Sequence, residues 1–99
     1  MGQLVINKKT LKRIDWTIVG RIITSLHRDS KMKRTHVAMK CNLAYDKCIL
    51  YLNWMKLMGL IKSEMDLEGF ETISLEEKGY EIFQNQFAAK EFENEIAMI

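Results

Sequence analysis

RTHVAMKCNLAYDKCILYLNWMKLMGLI, residues 34–61, decides how the chain is read. It crowds two cysteines, a histidine and three aromatic rings into one run, so two readings compete. Either the sulfurs and the imidazole form a metal or redox site, or the run is two helices around a short break with cysteines as small apolar filler. The spacing favours the helices. Thr35 is a plausible N-cap for a short helix holding Val37, Ala38 and Cys41. CNLAY then breaks the period, and a second helix from about Ala44 carries Cys48, Tyr51, Leu52 and Met55 on one face. It ends at Gly59, a residue suited to the left-handed position after a helix. Zinc prefers close ligand pairs, whereas four residues separate His36 from Cys41 and six separate Cys41 from Cys48. No metal or cofactor is expected, and both cysteines are expected to be free thiols. A catalytic cysteine needs a base and an electropositive, accessible setting that this pattern does not supply. The five glycines are isolated, so there is no phosphate-cradling loop, and the chain is not expected to be an enzyme.

Working outward, Asp15 can cap a helix in which Ile18, Val19, Ile22, Ile23 and Leu26 recur at three- and four-residue intervals, ending near Arg28. RDSKMKRT, residues 28–35, follows as a polar, basic loop. On the other side, LIKSEM and FETISL read as two short strands, with DLEG and its Gly69 making the turn. From Glu76 a last helix carries Tyr80, Phe83, Phe87, Phe92 and Ile96. The chain is thus expected to be mainly α with a small β-hairpin (α+β), in 99 residues without proline. No leader peptide or membrane span is evident, and a cytoplasmic, nucleoid-associated protein is expected. Among the aromatic residues Tyr51 and Trp54 read as core, and Met39, Met55 and Met58 as core gap-fillers.

The net charge of +2 conceals a strong polarity. Up to Lys62 there are thirteen Lys and Arg against Asp15, Asp29 and Asp46; beyond it, Lys78 and Lys90 face ten acids. A basic face of this kind concentrates polyanions, and an acidic one repels them.

Helix, helix, helix, hairpin and helix is the order of a winged helix-turn-helix. CNLAYDKCILYLNWMKLMGLI together with ISLEEKG resembles an archaeal winged-helix family whose members show an N-L-S-Y turn, a Y-L pair in the third helix, a G-L-I exit and an L-T-x-K-G entry to the last helix. Asn42, Leu43, Tyr45, Tyr51, Leu52, Gly59, Leu60, Ile61, Leu75, Lys78 and Gly79 match, and the likeness covers about Asp15 to Phe87. It implies a small DNA-binding transcriptional regulator or chromatin protein, in some members a dimer through the last helix. Three departures bear on function. Ala44 replaces a serine, Glu76 replaces a threonine, and the wing carries Glu64, Asp66, Glu68 and Glu71 with no arginine.

The expected organisation is a basic arm at 1–14, a winged helix-turn-helix at 15–79 and a dimerising helix at 80–99. Double-stranded DNA is the expected partner. Lys31, Lys33, Arg34 and Lys40 supply phosphate charge, Thr35 and His36 donate at the second helix, and Asn42, Tyr45 and Lys47 meet the groove. Phe83, Phe87, Phe92, Ile96 and Ile99 are the expected homodimer interface. The alternative is a protein-interaction module using Ile49, Leu50 and Leu57, expected to project from the side of the third helix away from the core.

Overall fold

The computed structural model describes residues 5–6, 9–11 and 13–87, with 5–6, 9–10 and 87 described by backbone alone. The described part is mostly helical with an antiparallel hairpin, as the sequence leads one to expect of an α+β fold. A two-residue strand pair, β1 (Val5–Ile6) and β2 (Lys9–Thr10), lies within the segment expected to be only an arm.

Helix α1 (Trp16–Asp29) begins where the sequence places it. Asp15 is extended and its carboxylate accepts from the Thr17 N–H at 2.9 Å, satisfying one of the orphan donors of the first turn. Ile18, Val19, Ile22, Ile23 and Leu26 form its buried stripe. The helix stops at Ser30, which takes a positive φ of 66°.

The next residues correct the expected loop. Met32 is 2% exposed and pairs with Ile73 of the hairpin through reciprocal backbone bonds of 3.0 and 2.7 Å. Pinning Met32 in an extended conformation starts α2 (Arg34–Lys40) immediately afterwards, with Lys33 as its N-cap and no capping side chain among the described residues. Thr35 is therefore the second helical residue and exposed, and it does not cap the helix.

Helices α2 and α3 (Tyr45–Leu57) end in the same way. After α2, Asn42 adopts the left-handed conformation at φ 55°, its N–H bonds to the Met39 carbonyl, and the Leu43 N–H reaches back to the Ala38 carbonyl. After α3, Gly59 at φ 77° and Leu60 repeat this on Lys56 and Met55. Each pair closes the last turn with a Schellman arrangement, which Asn and Gly accept at least strain. The first closure makes the break between α2 and α3 short, and the second turns the chain into the hairpin.

Strand β3 (Ile61–Met65) pairs with β4 (Glu71–Leu75) in the register Ile61↔Leu75 to Met65↔Glu71. The Asp66 carboxylate holds the turn by accepting from the Glu68 and Phe70 N–H groups, with Gly69 at φ 86°. Helix α4 (Glu77–Ile82) follows and continues as a π-helical segment, Phe83–Phe87.

The core lies between α1, the inner faces of α2 and α3, and the hairpin. Val19, Ile22, Ile23, Leu26, Val37, Cys48, Tyr51, Met55, Ile61 and Ile73 are among its buried members. The Tyr51 hydroxyl accepts from the Asp15 N–H at 3.0 Å, tying α3 to the start of α1. Trp54 is half-buried against this core and meets Trp16 edge to face at 5.9 Å. Met55 fills the core as expected, but Met39 and Met58 do not: they are 73% and 45% exposed. Phe83 is also reassigned. It is 6% exposed in its own chain and stacks on His27 with ring centroids 3.9 Å apart, so it has little surface left for a partner. Phe92, Ile96, Ile99 and the side chain of Phe87 lie outside the described residues. Among the described residues no helix is long and apolar enough to cross a membrane.

Candidate nucleic-acid interface

The nine residues expected to meet DNA do not form one surface. Lys31 and Lys33 flank the buried Met32, so strand alternation turns both to the outer side of the hairpin. There Lys31 pairs with Glu64 at 3.9 Å, and the Lys33 ammonium sits 3.9 Å from the centroid of Phe70. The others lie on or beside α2 and the start of α3. Thr35, His36 and Lys40 are exposed on the outer face of α2; Asn42, Tyr45 and Lys47 are exposed around the turn and the first residues of α3.

Two of the four wing acids, Glu64 and Glu71, are matched by bases. Glu64 also lies 4.0 Å from Lys62, and Asp29 pairs with Lys40 at 3.3 Å. Glu71 accepts from Arg34 at 2.6 Å and faces Lys56 at 3.7 Å. Burial pushes the Glu71 carboxyl up, but hydrogen bonds from Arg34 and Ser63 and the charges of Arg34 and Lys56 outweigh it and hold it below its ordinary value. Lys56, which the sequence reading missed, is a basic residue in the last turn of α3, a position favoured by the helix dipole. Arg21 was missed as well; its guanidinium braces the turn by donating to the Cys41 carbonyl at 3.3 Å. Lys78 donates to the Met58 carbonyl at 3.2 Å and so helps close the end of α3.

Asn42 carries structure as well as exposure, because its left-handed backbone sets the angle between α2 and α3. The expected apolar docking trio on α3 separates. Leu57 is 70% exposed, Ile49 packs partly against the core, and Leu50 is only 8% exposed. Apolar groups therefore occupy all sides of α3, and its polar reach is concentrated at its first turn and its last.

The cysteines are buried free thiols. Cys41 Sγ lies 3.5 Å from Ser25 Oγ, and burial raises its pKa against the opposing Ser25 hydrogen bond and Arg21 charge. Burial first, then the neighbouring Cys41, pushes Cys48 up to about 11, with Arg34 opposing. Among the described residues no three His, Cys, Asp or Glu side chains are grouped to hold a metal. A thiol at about 11 instead of 9.0 holds about 100-fold less thiolate at a given pH than an unshifted one. We therefore expect Cys48 to react with an aromatic disulfide reagent only as fast as the protein opens, whereas both thiols react at once in denaturant. The folded state keeps this proton to a higher pH than the unfolded chain, so stability should fall as pH rises from about 9 toward 11. Rapid native-state labelling of both cysteines at neutral pH would contradict this.

Neither a protein-family model nor a curated protein matches the chain.

Proposed function

We infer that the chain is a winged helix-turn-helix protein that binds double-stranded DNA without covalent chemistry, as a transcriptional regulator or nucleoid-associated protein. The observation that carries this reading is the α2–turn–α3 unit. Closure on left-handed Asn42 leaves Asn42, Tyr45 and Lys47 exposed at the amino end of α3, with the hairpin beyond its other end. The order α1, Met32 bridge, α2, α3, β3, β4 supports it, because a strand residue between the first two helices completes the small sheet of a winged helix. In this reading α3 approaches the major groove with its amino end, His36 and Lys40 sit beside a phosphate strand, and Lys47 and Asn42 reach base edges or phosphates. Dimerisation through residues 80–99 belongs to the same proposal, with Phe83 removed from its interface.

A second reading is favoured by one specific observation. Leu57 and Met39 are largely exposed, so the end of α3 and the outer face of α2 carry apolar groups where a base-reading surface carries Arg, Lys or Gln. That is the surface of a protein-interaction winged helix.

A fluorescence-anisotropy titration of labelled duplex at two salt concentrations separates the two readings. Because Arg34, Lys31 and Lys40 are already paired, we expect only about two to three phosphates to be neutralised per chain. The slope of log affinity against log salt is then about −2 to −3. Lys47→Ala should weaken every sequence and lower the slope by about 1. Absence of binding in low salt would leave the protein-interaction reading standing.

A further inference from the structure

Glu71 opens β4 across from Met65 and directs its carboxylate toward the helices. One oxygen takes the Arg34 Nε hydrogen at 2.6 Å, and the other faces Lys56 Nζ at 3.7 Å. Arg34 comes from the first residue of α2 and Lys56 from the last turn of α3. A planar guanidinium and an ammonium thus converge on the two oxygens of one anion, an arrangement equally suited to two non-bridging oxygens of a phosphodiester. Both cations remain in reach of solvent, with side chains 34% and 39% exposed.

The position on α3 matters as much as the chemistry. Lys56 lies eleven residues beyond Tyr45, ~16 Å along the axis. A major groove is about 12 Å wide. The two ends of α3 are thus farther apart than the groove is wide, so a duplex met by the amino end can present a flanking phosphate toward Lys56.

We propose that Arg34 and Lys56 form a phosphodiester-binding site that Glu71 occupies in the free protein, so that nucleic-acid backbone must displace the protein's own carboxylate to fill it. This rests on the DNA-binding reading above. Glu71 is ionised at neutral pH, since its cationic neighbours outweigh its burial. Tethered to β4, it competes at a high effective concentration, so a small free anion is a poor competitor. A duplex already held at the turn between α2 and α3 presents its phosphate at a comparable effective concentration and can exchange with it. The mask thus suppresses weak anion binding and favours ligands that engage both ends of α3.

The test compares the full chain with Glu71→Gln, Glu71→Asp and the triple variant Glu71→Gln/Arg34→Gln/Lys56→Gln, by anisotropy on one labelled 24-base-pair duplex at several salt concentrations, with thermal unfolding confirming the fold. Glu71→Gln should bind about fivefold more tightly at low salt. Its salt slope should be steeper by about 1 to 2, as two cations are freed for phosphate. Glu71→Asp, which keeps the charge but withdraws it by one methylene, should fall between Gln and the parent and serves if the Gln variant unfolds. The triple variant should lose the gain. Parent-like affinity and slope in the Gln and Asp variants, or a gain that survives in the triple variant, overturns the masked site while leaving DNA binding intact. If no variant binds duplex even in low salt, the DNA reading falls and the masked site with it.

Discussion

Replacing Gly79 with alanine should destabilise the protein by about 3 kcal/mol, the upper end of what overpacking a filled site produces. For a domain of this size that lowers the melting temperature by roughly 12 to 24 °C. Helix propensity alone argues the opposite, since alanine in a helix interior is favoured over glycine by about 0.5 to 1 kcal/mol. The deciding fact is what the new methyl group would meet. A Cβ at Gly79 would overlap the Leu60 carbonyl oxygen and come within 2.9 Å of Leu75 Cδ2. That carbonyl cannot move away freely. It accepts the Glu76 N–H at 2.9 Å, while the Leu60 N–H closes α3 on the Met55 carbonyl, also at 2.9 Å. The clash is therefore with backbone anchored on both sides. Gly59 is the control: apart from Gly59 and its two chain neighbours, no heavy atom of the described residues lies within 4 Å of the place a methyl group would take there, and only its φ of 77° opposes substitution. Gly59→Ala should cost about 1 to 2 kcal/mol. Urea denaturation of the two variants checks the order, and a Gly79→Ala protein as stable as the parent would show that α4 does not pack on Leu60 as described.

Met32→Ala should cost about 2 to 5 kcal/mol, although its neighbours in sequence, Lys31 and Lys33, are both exposed. Its side chain is 2% exposed against the core, and removing it leaves a cavity beside Ile73, whose own side chain is fully buried. The backbone pairing survives the substitution, so the loss reports the side chain. Met39→Ala, at a position 73% exposed, is the matched comparison and should change stability by less than about 0.5 kcal/mol. Equal, small effects for the two variants in urea denaturation would return residues 28–35 to the status of a surface loop.

Much of the architecture was legible because its causes are local. Asp15 stands one residue ahead of the first helix and caps it, and the Ile18–Leu26 periodicity delivers the buried stripe. Gly59 and Gly69 take positive φ values of 77° and 86° where the sequence requires a helix exit and a hairpin turn. Each of these signals acts within a few residues. Thr35 shows where local chemistry fails. It is the better capping residue by type, yet Lys33 is the cap, because the bridge of Met32 to Ile73 fixes the chain just before it.

The sequence by itself determined that the described part is mainly helical with an antiparallel hairpin after the third helix, that its cysteines are buried free thiols, and that its bases and acids divide along the chain. Local periodicity, turn residues and composition suffice for those features. Only the tertiary structure decided the rest. It placed Met32 in the core, buried Leu50 on the supposedly outward side of α3, stacked Phe83 on His27 and distributed the bases over two faces. Above all, it set Glu71 between Arg34 and Lys56, 37 and 15 positions away in sequence. The energy of a charge depends on which opposite charge stands within a few ångströms and how much water remains between them. A sequence records how many charges there are, while the packing of α2, α3 and β4 decides which of them meet.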